Sequence, residues 1–413
     1  MAIVYYTNIR CIYGITADQN QPARGAELSS PIKLSNAYLK TEDDLIADFG
    51  PMDSFKSPEA GARIIDCEGR SVIPGYCDSH THIVFARSRH EEFVDKIKGL
   101  TYEEIAAKGG GIINSALHLR KIEESELVEL ALQRIDSVKK TGTVALEIKS
   151  GYGLDLTSEL KMLTVIRRLK DLTNLCIKST FLGAHAVPPE FKGNQQGYVD
   201  HIAEVMIPRV ADAGLADFVD VFCDKGFFTP EQTEKILEAA NRYNLKPKLH
   251  ANELAFSGGV QVGVAHRAVS VDHLECSGDE EFELLADSNT IATLLPGTAF
   301  FLGLPYPNAR RMIEKNVAIA LASDFNPGSC PSGNMNFVVA LACIKMKLLP
   351  EEALTAATLN GAFAMEIDRT HGSIERGKTA SFLITQAIED LSQIPYYFTE
   401  NLISKTVING KPD

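Results

Sequence analysis

Leu127, Ala131, Ile135 and Val138 recur at spacings of three and four through SELVELALQRIDSVKK, which places them on one face of a helix. Lys139 and Lys140 fall in its last turn, where the helix dipole favours cations. Gly142 follows, suited to the left-handed position after a helix, and then comes TVALEIK, a run of β-formers. The same grammar returns downstream. Thr229-Pro230-Glu231-Gln232 supplies an N-cap, a proline at the first helical position and a capping-box glutamine. Ile236, Ala240 and Tyr243 continue the stripe, Asn244 can end the helix, and KPKLH is the next strand. Ser277 and Glu280 predict a further capping box ahead of IATLL.

Apolar runs predict eight strands through the middle of the chain: SVIPGYCDSH, TVALEIK, CIKSTFLGAH, ADFVDVFCD, KPKLH, RAVSVDH, IATLLP and VAIALASD. Near-continuous apolar runs are what parallel strands covered on both faces look like. Eight such runs, most separated by a helix, predict an α/β chain with a (β/α)8 TIM-type barrel. The connection from Ile83 to Gly142 is far longer than usual and predicts an extra helix and a loop over the barrel mouth. The chain ends read differently. RIIDCEGRSVI and GSIERGKTASFLITQ are short strands with glycine turns, and Asn409-Gly410 in TVINGKPD is a hairpin signal. Residues 1–70 and 362–413 are therefore expected to form one small β-sandwich domain, with 71–361 as the barrel.

Composition narrows the class. With 413 residues, 45% hydrophobic and 23% charged, the chain is globular, and its size suits a barrel plus a smaller domain. A formal net charge of -13 argues against nucleic-acid binding, which needs clustered Lys and Arg. No apolar run reaches the roughly 18 residues of a membrane span, and the start lacks the pattern of a signal peptide. Eight scattered cysteines without a C-x-x-C pair read as reduced thiols, so a cytoplasmic protein is expected.

Candidate chemistry gathers at strand ends. His80 and His82 in GYCDSHTHIVF lie two apart on a strand, so both point one way with Cα atoms about 6–7 Å apart. Two such imidazoles can share an ion at metal–nitrogen distances of about 2.0–2.1 Å. Alone, H-x-H is a weak signal. Here His185, His250, His273 and Asp324 also close predicted strands. In a parallel barrel those ends share the face where active sites form. Histidines on several strands converging with an aspartate point to a metal site rather than to core packing. His118, His201, His266 and His371 lack such a setting and default to surface or packing roles.

At this level the chain resembles the amidohydrolase superfamily, through PGYCDSHTH, HANE, the DH of VDHLE and the SD of LASDFNPG. FARSRHEEF, TYEEIAAKGGGI, EIKSGYGLD, FLGAHAVPPEF, HANELAFSGG and ASDFNPGSCPSGNM narrow the likeness to its imidazolone-hydrolysing members. The resemblance covers nearly the whole chain. It implies that His80, His82, His250 and Asp324 hold one divalent or trivalent metal ion, zinc or iron. Three neutral imidazoles and one carboxylate leave a divalent ion with one net positive charge, which a hydroxide would balance. Binuclear relatives carry a carboxylated lysine on the fourth strand. Here that strand reads DFVDVFCD, with no lysine before Lys225, so a single metal is expected. Lys149 is read as orienting backbone or substrate.

The same resemblance implies hydrolysis of the cyclic amide 4-imidazolone-5-propanoate to N-formimidoyl-L-glutamate in histidine degradation. Asp324 would take a proton from the attacking water and pass it to the leaving nitrogen. Glu253, three residues after His250, would bond the substrate ring N–H and relay a proton. His273 or His185 would stabilise the oxyanion. Arg89 can grip the substrate carboxylate through two parallel bonds, with Tyr102 and Tyr152 as phenol donors. Arg87 and His90 are neighbouring rivals. Asn326, Gly328 and Ser329 would hold substrate or product. GGG at 109–111 lacks the strand–loop–helix frame of a phosphate cradle and reads as a lid hinge. The expected partner is a small molecule, with neither nucleic acid nor membrane, and relatives imply a homodimer. Two alternatives stay open: another mononuclear amidohydrolase such as a purine or pyrimidine deaminase, and an inactive binding protein of the same fold.

Overall fold

The computed structural model describes residues 2–16, 20–100, 104 and 110–412. Two eight-stranded sheets organise them. The first is built by the chain ends: β1 (Ile3–Ile15), β2 (Ile32–Glu42), β3 (Leu45–Pro51), β4 (Arg63–Asp66) and β5 (Val72–Pro74). The second runs in sequence order: β6 (Tyr76–Thr81), β7 (Thr143–Lys149), β8 (Cys176–Ala184), β9 (Phe218–Cys223), β10 (Lys246–Ala251), β11 (Ser270–His273), β12 (Ile291–Leu294) and β13 (Ile319–Leu321). β14 (Phe382–Thr385), β15 (Ile403–Ile408) and β16 (Lys411–Pro412) then return to the first sheet, where β14 pairs with β5.

Every pairing within the second sheet is parallel. Each residue of β6, β7 and β9 is buried, which accounts for their unbroken apolar texture. The sheet curls until its ends meet. Asp324 N–H donates to the His80 carbonyl at 3.0 Å, and His82 N–H donates to the Phe325 carbonyl at 2.9 Å. Asp78 tightens that seam by accepting from Ser323 N–H at 2.9 Å and Ser323 Oγ at 2.6 Å. The barrel's closure therefore lies beside the paired histidines.

Local expectations fared unequally. The Glu124–Lys139 helix buries Leu127, Val128, Ala131, Ile135 and Val138. Thr229 Oγ1 accepts from Gln232 N–H at 3.3 Å, and Gln232 Oε1 accepts from Thr229 N–H at 3.1 Å, so that capping box forms. Asn409 and Gly410 both take positive φ, 51° and 73°, and turn β15 into β16. The long connection after β6 carries helices at His90–Ile97 and Ile112–Lys121 before the Glu124–Lys139 helix. Gly109 of the GGG run lies outside the described residues.

Two expectations are corrected. SVIPGYCDSH is not one strand: Val72–Pro74 belong to the first sheet and Tyr76–Thr81 to the barrel. The chain changes sheets at Gly75, where a Cβ would overlap the Val144 side chain. The cap near residue 277 sits one position later and is half a box: Gly278 N–H donates to Glu281 Oε2 at 2.9 Å, and glycine has no side chain to answer it.

His371 lies buried, its Nδ1 2.9 Å from Thr370 Oγ1. Burial, aided by the Lys378 charge, lowers its pKa to about 4. The unfolded chain, with an ordinary imidazole near 6.5, then binds the extra proton first. The neutral form's contribution is complete above pH ~6.5 and is lost as pH falls toward ~4, amounting to up to about 3 kcal/mol. The unfolding free energy of wild type minus that of His371→Asn should narrow by that amount across this window in urea titrations. A gap independent of pH would contradict the assignment.

Candidate metal centre and substrate cavity

β6 turns His80 into the barrel mouth, His82 follows just past its end, and the end of β10 brings His250 to meet them. His80 Nε2 and His82 Nε2 lie 3.3 Å apart, and His250 Nε2 is 3.4 Å from His82 Nε2. The three ligand atoms fall within 4.8 Å of one another, in a buried setting. Asp324 Oδ1 stands 3.5 Å from His80 Nε2 and 3.6 Å from His82 Nε2.

Carboxylates fix two of the rings. Asp272 Oδ2 faces His80 Nδ1 at 2.6 Å, and Asp220 faces His250 Nδ1 at 3.1 Å. A carboxylate can only accept, so each Nδ1 carries the hydrogen and each Nε2 presents a lone pair. Burial, first of all, pulls His80, His82 and His250 well below the usual imidazole range, with help from Lys149 and from each other. The His80–Asp272 contact is therefore a neutral N–H donating to a carboxylate, not an ion pair. Buried lone pairs aimed at one another repel unless a cation lies between them. The donor set of imidazoles and a carboxylate thus fits a zinc- or iron-type ion.

Beneath this floor lies a charge web absent from the sequence reading. Lys149 Nζ donates to Glu147 Oε1 and Asp220 Oδ2, each at 2.7 Å, and sits 3.4 Å from Asp272 Oδ2. Lys248 pairs with the other oxygen of Glu147. Burial opposes the Lys149 charge, but Asp220, Glu147 and Asp272 prevail and raise its pKa. Burial likewise pushes Asp272 up, yet Lys149 and Lys248 hold it below the ordinary carboxylate range. Lys149 touches the carboxylates that orient two histidines, rather than substrate or backbone. Both aspartates sit on apolar strands, where they pass for interruptions of the core pattern.

Above the histidines opens a cavity of about 520 Å³. Arg89, Tyr152, His185, Glu253, His273, Asp324, Asn326, Gly328 and Ser329 line it, with His82 and His250 at its floor. Larger hollows of about 940 and 1200 Å³ lie among the chain-end sheet and the strand starts, and none of these residues lines them. Arg87 pairs with half-buried His118 and exposed Glu91, and His90 bonds Ser88 at the surface, so both rivals of Arg89 lie outside the cavity. Tyr102 lies outside the described residues. Leu154 N–H and Gly153 N–H donate to Glu159 Oε1 at 2.9 and 2.7 Å, which shapes the loop carrying Tyr152. Asp224 Oδ2 accepts from Glu253 N–H at 2.7 Å and fixes the loop after β10.

The cavity walls hold opposite proton states. His185 Nδ1 lies 2.9 Å from the Gly151 carbonyl, and burial lowers its pKa to about 4. Its Nε2 can therefore accept a hydrogen bond and not donate one. His273 differs. Burial works to lower it, but Glu253, Glu275 and Asp324 outweigh burial and raise it to about 10. Its ring stands 3.7 Å from Glu253 Oε2 and from Glu275 Oε2. Burial, joined by Glu275, Asp324 and Asp224, pushes Glu253 up to about 7. His273 and Asp324 adopt φ of 85° and 54°, a left-handed conformation that costs a non-glycine residue about 1–3 kcal/mol. Such strain collects where surrounding structure holds functional groups in place.

Asp324 Oδ2 accepts from Thr298 Oγ1 at 2.6 Å and Ser329 Oγ at 3.3 Å, leaving Oδ1 for the histidine side. Thr298 went unnoticed in the sequence, because TLLPGTAF carries no polar periodicity. Asn326 Oδ1 accepts from Gly328 N–H and Ser329 N–H, both at 2.8 Å, and so ties the last loop together. One edge of Arg89 is already engaged: Nε and Nη2 donate to Glu92 Oε2 at 2.9 and 2.8 Å. Its Nη1 lies where a Cβ on Gly328 would sit, so glycine there allows the guanidinium to rest against the backbone.

A barrel closed beside converging histidines, with the acid–base groups on its strand ends, has the architecture of a metal-dependent hydrolase. The chain belongs to the amidohydrolase family, which its residues 71–412 match. Relatives named imidazolonepropionase match nearly its full length. That of Flavobacterium johnsoniae is 50% identical over 409 residues, covering 99% of both chains. That of Christiangramia forsetii is 48% identical over 405 residues, covering 98% of both. Among solved structures, E. coli guanine deaminase superposes with a TM-score of 0.75 at 14% identity, covering 100% of this chain and 99% of that one. A triazine hydrolase variant gives 0.72 at 15%, covering 99% and 94%. At such identities these two structures speak for the fold alone.

Replacing Lys149 by Met should cost about 3–5 kcal/mol of folding stability, because it leaves buried carboxylates without their cation. Chemical denaturation monitored by circular dichroism checks this; a loss below about 1 kcal/mol would mean that the web is not cohesive.

Proposed function

We propose that this chain hydrolyses the cyclic amide of 4-imidazolone-5-propanoate, giving N-formimidoyl-L-glutamate in histidine degradation. The observation that carries this is the convergence of three neutral imidazoles and Asp324 on the floor of a small cavity whose wall bears Arg89. The relatives named imidazolonepropionase support it over nearly the whole length. His80, His82, His250 and Asp324 would hold one ion, zinc or iron. When bound, that ion supplies Lewis acidity and brings water's pKa toward ~7.

The residues divide the remaining work. Asp324 accepts the proton of the attacking water and delivers it to the ring nitrogen as the carbon–nitrogen bond of the lactam breaks. His273, the charged imidazole of the cavity, donates to the carbonyl oxygen as negative charge develops there. His185 accepts, so it suits a substrate N–H or hydroxyl rather than the oxyanion. Glu253, with a pKa of about 7, takes and returns a proton of the imidazolone ring near neutrality. Arg89 and Tyr152 hold the propanoate arm, with Tyr102 as a further donor. Asn326, Gly328 and Ser329 close the pocket around substrate or product.

Coarser features go with this reading. Residues 75–361 form the catalytic unit, and 1–74 with 362–413 form the accessory one. No helix among the described residues is long and apolar enough to cross a membrane. All eight cysteines are free, which supports a reducing, cytoplasmic setting. The net charge of -13 speaks against nucleic acid, and the working form is taken to be a homodimer.

Asp324→Ala should lower turnover of imidazolone propanoate by 10²-fold or more, on the scale of lost general acid–base catalysis, with an unchanged circular dichroism spectrum. Wild-type-like turnover would reject the role given to Asp324. Release of ammonia in place of ring opening, by the untouched enzyme, would make it a deaminase instead. Dialysis against a chelator should abolish activity and one equivalent of zinc or iron per chain should restore it; a requirement for two equivalents would reject the mononuclear site. Arg89→Ala should raise KM by roughly tenfold or more, the loss of a charge-assisted contact, with a smaller effect on kcat.

A further inference from the structure

Arg89 caps the His90–Ile97 helix, and Glu92 and Lys96 follow it at spacings of three and four, so the three share one helix face. Arg89 and Lys96 both line the 520 Å³ cavity. Phe93 on the same side stacks on Phe301, ring centres 5.3 Å apart, and Val94 and Ile97 are exposed.

The charges along this stripe are unequal. Glu92 Oε2 takes both Nε and Nη2 of Arg89, and its Oε1 accepts Gly111 N–H at 3.0 Å. Glu92 therefore positions the guanidinium, offsets its charge and ties this helix to the start of the next one. Arg89 and Glu92 together bring little net charge to the cavity. Lys96 forms no ion pair within 4.0 Å among the described residues; its Nζ lies 5.9 Å from the centre of the Phe301 ring. Burial and the Arg89 cation both lower its pKa, as expected of two positive charges sharing one partly dry space. On a chain of net charge -13, an under-compensated cation at the cavity wall is a local exception that favours an anion.

We infer that Lys96 is a second substrate-binding residue, taking the propanoate carboxylate together with Arg89 and giving the enzyme its preference for an anionic arm. The inference rests on the reading of function given above. Arg89, held by Glu92, supplies direction; Lys96 supplies the net charge. Its mobile ammonium can follow a carboxylate, whereas Arg89 is fixed between Glu92 and the Gly328 backbone.

The test compares imidazolone propanoate with its uncharged propanamide analogue on wild type, Lys96→Met and Lys96→Arg. The acid-to-amide ratio of kcat/KM should fall about tenfold in Lys96→Met, the worth of one partly desolvated charged contact. The change should appear in KM for the acid more than in kcat, and raised salt should weaken wild type more than the variant. Lys96→Arg should recover most of the preference, which a merely structural lysine would not predict. Wild-type turnover with an unchanged acid-to-amide ratio in Lys96→Met overturns the role of Lys96 alone. So does a Lys96→Arg variant as indiscriminate as Lys96→Met. A wild-type enzyme that leaves the imidazolone intact overturns the functional reading, and this inference with it.

Discussion

Three buried nitrogen lone pairs aimed at one point are the constraint on which the rest of this molecule turns. Such an arrangement is repulsive, and two of its three rings are held from behind. Asp272 and Asp220 fix the tautomers of His80 and His250 through Nδ1. Those carboxylates would in turn repel one another without Lys149 beside both. The web binds β7, β9, β10 and β11 into one electrostatic unit, while Asp78 and Ser323 close the seam beside it. His80 and His250 sit on strands, with His82 and Asp324 just past strand ends, and this favours the fixed geometry that catalysis by positioned groups requires.

The same barrel mouth keeps one imidazole neutral and another charged, with His185 5.4 Å from His82 and His273 5.2 Å from His250 between ring centres. His185 and His273 are both buried, so burial alone would lower both. The difference lies in their neighbours. A backbone carbonyl accepts from His185, whose ring stacks on His82 at 5.4 Å. Glu253 and Glu275 flank His273 instead. A neutral acceptor on one wall and a cationic donor on the other give the cavity a polarity along which a lactam can be oriented, carbonyl toward His273. Groups whose surroundings push their pKa values apart are the usual mark of divided acid–base roles.

Much of this was legible in the sequence, and the misses share a cause. Barrel strands announce themselves through continuous apolar runs, and H-x-H with three further strand-end histidines marks the mouth. Arg89 could be separated from Arg87 and His90 only in space, because all three lie in one short loop-to-helix segment. Asp220, Asp272 and Lys149 were invisible as a group: they lie on three different strands, β9, β11 and β7, and only the curl of the barrel brings them together. The change of sheet at Gly75 was hidden for a related reason. An apolar run reads the same whether one sheet or two receive it, and what divides it is the crowding of Val144 against Gly75. The shift of a cap from Ser277 to Gly278 reflects the usual one-residue latitude of helix ends.

Charge balance in the interior gives an independent reason for the donor set to attract a cation. Below the histidines, Glu147, Asp220 and Asp272 face Lys149 and Lys248, leaving one negative charge in a region without solvent. Asp324, equally buried, adds a second. Burying unbalanced charge is costly, and a protein normally meets that cost by pairing or by neutralising the group. Lysines already occupy the paired positions below. Burial, aided by the lysine that balances their aspartates, holds the imidazoles neutral, so they cannot supply the missing positive charge by taking protons. A dipositive ion at the point where the three lone pairs meet would oppose the negative charge that the lysines, with His273 on the cavity wall, leave uncompensated.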